Sequence, residues 1–109
     1  DHYNGIYRVS LDSDTAHRIL MPSYLGYKED EAHFSSLLVK YIDDTVHSDF
    51  HRAVMSFLNY DAIKRHLSEG NIPKISYKKV NGETVELSVY PLDDNKDDVK
   101  DTLWVFAKS

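Results

Sequence analysis

The run Thr102-Leu103-Trp104-Val105-Phe106-Ala107 is apolar on both sides of an extended chain. Successive strand side chains point to opposite faces, so Leu103 and Val105 project one way and Trp104 and Phe106 the other. A strand that is apolar on both faces is covered on both, and belongs in the interior of a sheet. If this strand is central, the two other strand groups of the sequence flank it, one on each side.

The nearest of these strands lie in Ile75 to Leu92, "ISYKKVNGETVELSVYPL", where two strand-like runs flank Asn81-Gly82. Asn-Gly is a strong hairpin signal. A two-residue loop, however, would set Ile75 and Tyr77 opposite Ser88 and Glu86, splitting the apolar set between faces. A three-residue loop, Val80-Asn81-Gly82, pairs Tyr77 with Val85 and Ile75 with Leu87 instead. Gly82 then takes the left-handed position of a G1 bulge. A one-residue slip moves every side chain to the other face, so the apolar pattern decides for the bulge.

At the other end, "IYRVSL" (Ile6 to Leu11) and "AHRILMP" (Ala16 to Pro22) read as strands joined by the turn "DSDT", with Pro22 ending the second. Between the strand groups the period changes. Phe34, Leu37, Leu38, Tyr41 and Ile42 form a helical stripe, with Glu29, Asp30 and Glu31 as its expected acidic start. Phe50, Ala53, Val54, Phe57 and Leu58 form a second stripe, with Ser48 as its expected N-cap. A short third helix runs from Tyr60 to about Ser68, capped by Asn59 and ended by Gly70. Asp93 to Asp101 reads as an acidic, solvated and mobile loop.

The expected fold is therefore α+β: a five-stranded antiparallel sheet with helices on one face and the last strand central. Residues 1–109 read as a single domain, cut from a longer chain. The net charge of -5 argues against a nucleic-acid or anionic-membrane surface, since both call for positive charge. No apolar run is long enough to span a bilayer. The absence of cysteine removes disulfides, zinc-thiolate sites and thiol nucleophiles.

Two strands, a helical crossover, a hairpin and a central final strand resemble the PAS domain of bacterial signalling proteins. "VHSDFHRAV" (Val46 to Val54) is similar to the segment that reads roughly V-H-P-E-D-R in many PAS domains. "YKKVNGETVELSVYPL" is similar to the Tyr-Arg-Arg-Lys-Asp-Gly hairpin that follows, and "DTLWVFAKS" to the closing strand. The spacing most resembles PAS modules joined to diguanylate cyclase or histidine kinase domains. Ser48 stands in place of the motif's proline, and Phe50 and His51 in place of its acidic and arginine positions, so no ligand contact is carried over there. The resemblance implies a non-enzymatic, cytoplasmic sensory module that relays ligand binding or dimer rearrangement to an attached effector domain. The blue-light flavin and coumarate photoreceptor types need a cysteine and do not fit. No particular cofactor is indicated.

Candidate sites follow from the faces. Phe34, Tyr41, Phe57, Tyr77, Val85 and Leu87 converge between helices and sheet, as a small-molecule pocket or as ordinary core. With Leu103 and Val105 set toward the helices, Trp104 and Phe106 fall on the uncovered sheet face. With Tyr90 they form the expected interface of a homodimer or flanking helix. His47 and His51, four apart, have metal-ligand spacing on a helix, but their position suits a structural joint better, and no metal site is expected. The acidic loop lacks the spacing of a calcium cage. Two other functions stay open: a ligand-free homodimerisation module, and a small cone-shaped enzyme of the ketosteroid isomerase type. The enzyme would need an Asp and a Tyr converging on one cavity.

Overall fold

A computed structural model describes residues 3–20, 30–95 and 97–109. Strands β1 (Tyr3–Ser10) and β2 (Thr15–Leu20) form the N-terminal hairpin, and β3 (Asp30–Ala32) follows. The helical block comprises α1 (Phe34–Thr45), a 3₁₀ turn (Ser48–Phe50), α2 (His51–Phe57) and α3 (Tyr60–Ser68). Strands β4 (Lys74–Lys78), β5 (Thr84–Pro91) and β6 (Asp101–Lys108) complete the chain. The antiparallel sheet runs β3-β2-β1-β6-β5-β4, so the final strand is central, and the five expected strands are extended at one edge by the three-residue β3.

The β4–β5 hairpin has the register that its apolar pattern requires, with Tyr77 opposite Val85 and Ile75 opposite Leu87. Lys79 N–H donates to the Glu83 carbonyl at 2.8 Å, closing the three-residue loop. Gly82 sits at φ +90°, a region that side chains avoid. Asn81 Oδ1 accepts from Glu83 N–H at 3.0 Å.

The start of α1 differs from expectation. Asp30 and Glu31 lie in β3, Glu29 and Pro22 lie outside the described residues, and no acidic residue occupies the first turn of α1. The cap comes from the β1–β2 turn instead. Asp14 accepts from Ser35 N–H at 2.9 Å and from Ser35 Oγ–H at 2.5 Å, while its carbonyl accepts from Phe34 N–H at 2.9 Å. A carboxylate is thus placed at the positive end of the helix by a residue far away in sequence. Ser48 is not the N-cap of α2: it lies inside the 3₁₀ turn, which His47 caps by accepting from Asp49 N–H through Nδ1 at 3.2 Å. At α3 the expected signals hold, with Asn59 Oδ1 accepting from Ala62 N–H at 3.1 Å and Gly70 at φ +83°.

The acidic loop is tied down at its base. Asp93 accepts from the N–H groups of Lys100 and Asp101 at 2.6 and 2.9 Å, and Val99 is buried. The Asp101 and Lys100 amides hold the Asp93 carboxyl below its ordinary pKa.

Candidate functional site

The space between the helices and the sheet is lined by aromatic rings that touch in sequence. Phe34 of α1 meets Trp104 of β6 edge-on at 5.5 Å between centroids and Tyr7 of β1 at 5.7 Å. Phe106 contacts Tyr7 at 5.8 Å and Tyr41 at 6.0 Å, and Tyr60 of α3 contacts Trp104 at 6.2 Å. Tilted and edge-to-face pairs suit the ring quadrupoles. Trp104 and Phe106 therefore lie in the core, not on an exposed interface: Trp104 is fully buried and Phe106 nearly so.

The register explains this correction. Directly opposite residues of an antiparallel pair share a face, and Leu87 faces Phe106 while Val89 faces Trp104. The apolar face of β5 thus carries the large rings of β6 onto the helices. Burying Trp and Phe removes more apolar area from water than burying Leu and Val. Leu103 and Val105 take the outer face, half-buried, beside Ile6 and the 37% exposed Tyr90.

Phe34, Tyr41, Phe57, Tyr77, Val85 and Leu87 all come together, as part of one hydrophobic cluster with the β6 rings. Phe34, Tyr77, Val85 and Leu87 are buried; Tyr41 and Phe57 are half-buried. The polar tips of the two tyrosines satisfy each other, with Tyr41 Oη and Tyr77 Oη 2.6 Å apart. Burial, and for Tyr77 the neighbouring Tyr41, pushes both phenols up in pKa, so the pair is neutral at physiological pH.

Two further polar nodes brace the same layer. Trp104 Nε1–H donates to Thr102 Oγ1 at 2.9 Å, and the Thr102 hydroxyl donates to the Val9 carbonyl at 2.9 Å, linking β6 to β1. Tyr60 Oη–H donates to Asp14 at 2.6 Å, joining α3 to the cap of α1. Burial works to raise the Asp14 pKa, but hydrogen bonds from the Ser35 hydroxyl, Tyr60 and the Ser35 amide outweigh it and hold the carboxyl below its ordinary value. Sequence reading missed Asp14, because nothing local to a turn aspartate points to a helix that starts beyond the next two strands.

His47 and His51 are bonded to backbone. His51 Nε2–H donates to the Val46 carbonyl at 2.6 Å, locking the joint between α1 and α2, while His47 caps the turn. Among the described residues no three His, Cys, Asp or Glu side chains are grouped to hold a metal ion. A groove of about 600 Å³ opens between α2, α3 and the start of β4; of the six expected pocket residues, only Phe57 lines it.

An antiparallel sheet with its final strand central, flanked by the two hairpins and covered on one face by the helical crossover, is the PAS, or sensory-box, fold. The chain is similar to the crystal structure of a sensory box histidine kinase/response regulator from Burkholderia thailandensis. The two share 11% sequence identity with a TM-score of 0.55, over 95% of this chain and 75% of that one. No protein-family model and no curated protein matches the sequence. No helix among the described residues is long and apolar enough to cross a membrane.

Proposed function

We propose that this chain is a non-enzymatic PAS-type regulatory module of a cytoplasmic signalling protein, passing a change in its own association to an attached effector domain. The observation that carries this reading is the fold together with the half-buried apolar outer face of its central strand, where Leu103, Val105 and Ile6 are offered beside Tyr90. Apolar residues gathered on an open sheet face mark an interaction surface. Signalling would be a population shift between dimer arrangements, biased by whatever favours one of them.

An interior ligand is the second reading, through Phe34, Tyr41, Phe57, Tyr77, Val85 and Leu87. The Tyr41–Tyr77 hydroxyl pair favours the association reading over it, because those polar tips already have partners. An enzyme of the ketosteroid isomerase type draws no support from Asp14 and Tyr60, because the Asp14 carboxylate is engaged in capping α1 and the Tyr60 hydroxyl donates to that same carboxylate. Native mass spectrometry of the purified protein tests the proposal. A dimer at twice the chain mass, with nothing added, is expected. A monomer overturns the association reading, and a species with extra mass restores the interior ligand.

A further inference from the structure

The groove between α2, α3 and β4 has a charge that sets it apart from the rest of the chain. Acidic residues outnumber Lys and Arg by 18 to 13, yet no carboxylate lines it. Its lining carries three basic groups, Arg65, His66 and Lys74, over an apolar floor that includes Phe57, Ile72 and Ile75. None of the three makes an ion pair with a described residue, whereas Arg8, Lys64, Lys79 and Lys100 all do.

Beside this groove runs an edge of the sheet. β4 is the terminal strand, and the bonds Lys79 N–H to Glu83 and Val89 N–H to Pro73 place its odd-numbered residues in the bonded pairs with β5. Antiparallel alternation then turns the backbone N–H and C=O groups of Lys74, Ser76 and Lys78 outward. The Lys78 carbonyl is taken by His47 N–H at 2.8 Å. The outward groups of Lys74 and Ser76 have no backbone partner among the described residues. An edge left open beside an apolar groove is a template for an added strand.

We infer that the groove and the Lys74–Ser76 edge together bind an extended acidic peptide segment of a partner protein. The segment would add a strand to β4, seat an apolar side chain over Phe57, Ile72 and Ile75, and set carboxylates against Arg65, His66 and Lys74. A small anionic molecule suits the site less well. Arg65, His66, Ile72 and Lys74 are all exposed, and an open groove cannot enclose most of a small ligand's surface. The groove opens between α2, α3 and β4, on the side of Ile75 and Leu87, whereas the dimer reading uses Leu103 and Val105; Lys74, opposite Ser88, stands at the edge shared by the two faces.

The test is a ¹⁵N NMR titration of the protein with an acetylated heptapeptide alternating Glu and Val, up to millimolar concentration. Shifts at the Lys74 and Ser76 amides are expected, with those amides gaining protection from hydrogen exchange. Binding should weaken at least tenfold in the R65E/K74E double variant, whose exposed sites leave the fold intact by circular dichroism. Added salt should weaken it too, because exposed charges are screened, and the Lys/Val counterpart should not bind. No shift at millimolar peptide, shifts centred elsewhere, or equal binding by the double variant would each overturn the inference. So would octanoate occupying the groove in place of the peptide, or a dimer lost in the R65E single variant without peptide, which would assign the groove to a small anion or to a second copy.

Discussion

Asp14 joins three elements through one side chain. It sits at φ 56°, a left-handed conformation that aspartate tolerates better than most residues, and its carboxylate ties the first hairpin to α1 and α3. Asp14→Ala removes the cap and strands the Tyr60 hydroxyl, so a loss of about 1–2 kcal/mol is expected in urea unfolding at pH 7. The sign of the pH dependence follows from the lowered carboxyl. A group with a depressed folded pKa contributes stability that is present above its unfolded value, about 3.9, and is lost as pH falls through the folded one. The gap between wild type and Asp14→Asn should therefore be full at pH 6 and close progressively below about pH 4. A gap that stayed constant on acidification would show that the carboxylate's charge plays no part. The Tyr41–Tyr77 pair gives a different signature, because removing one hydroxyl leaves the other without its partner. Each single Phe substitution is expected to cost about 1–3 kcal/mol, and the double variant less than the two together. Additive losses would mean that the hydroxyls do not depend on each other.

At the scale of elements, the hairpin and β6 show what kind of information a sequence carries. The β4–β5 register was legible because both strands and their loop are contiguous, and the apolar parity of Ile75, Tyr77, Val85 and Leu87 excludes the two-residue Asn-Gly loop. The centrality of β6 was legible for a similar reason, its apolarity on both faces. Its facing was not: the long connection from Leu92 to Lys100 leaves the parity between β5 and β6 free, and only the pairing of Val89 with Trp104 resolves it. Size was the available signal, since the larger rings gain more from burial. The start of α1 was misread because Asp30 and Glu31 resemble a helix N-terminus, while the cap that was used comes from Asp14. Two substitutions separate these levels. Gly82→Ala meets nothing within 4 Å, so its cost is the left-handed backbone alone, about 1 kcal/mol by chemical denaturation. Trp104→Ala empties the middle of the aromatic layer and should cost about 3–5 kcal/mol, with loss of the near-ultraviolet dichroism. A mild effect at Trp104 would contradict its place in the core.

At the scale of the molecule, the two proposed surfaces should respond to salt in opposite directions, which would separate them experimentally. Two chains of net charge -5 repel as they approach, so a dimer held by apolar contact across the outer sheet face should tighten as salt screens that repulsion. An acidic peptide on the Arg65, His66 and Lys74 groove should be released by the same salt. Leu103 is the residue to change for the dimer, because it lies half-buried on the outer face, opposite Arg8 on one side and Tyr90 on the other. A glutamate there would place a charge at the centre of the contact while leaving the helix-facing layer of Trp104 and Phe106 untouched. Sedimentation should show a dimer for the wild type, strengthened between about 50 and 500 mM salt as the screening length shortens, and a folded monomer for Leu103→Glu. A variant that still dimerised would move the contact off this face. A wild type that dissociated with salt would mean that ion pairs, not apolar burial, hold the two copies together.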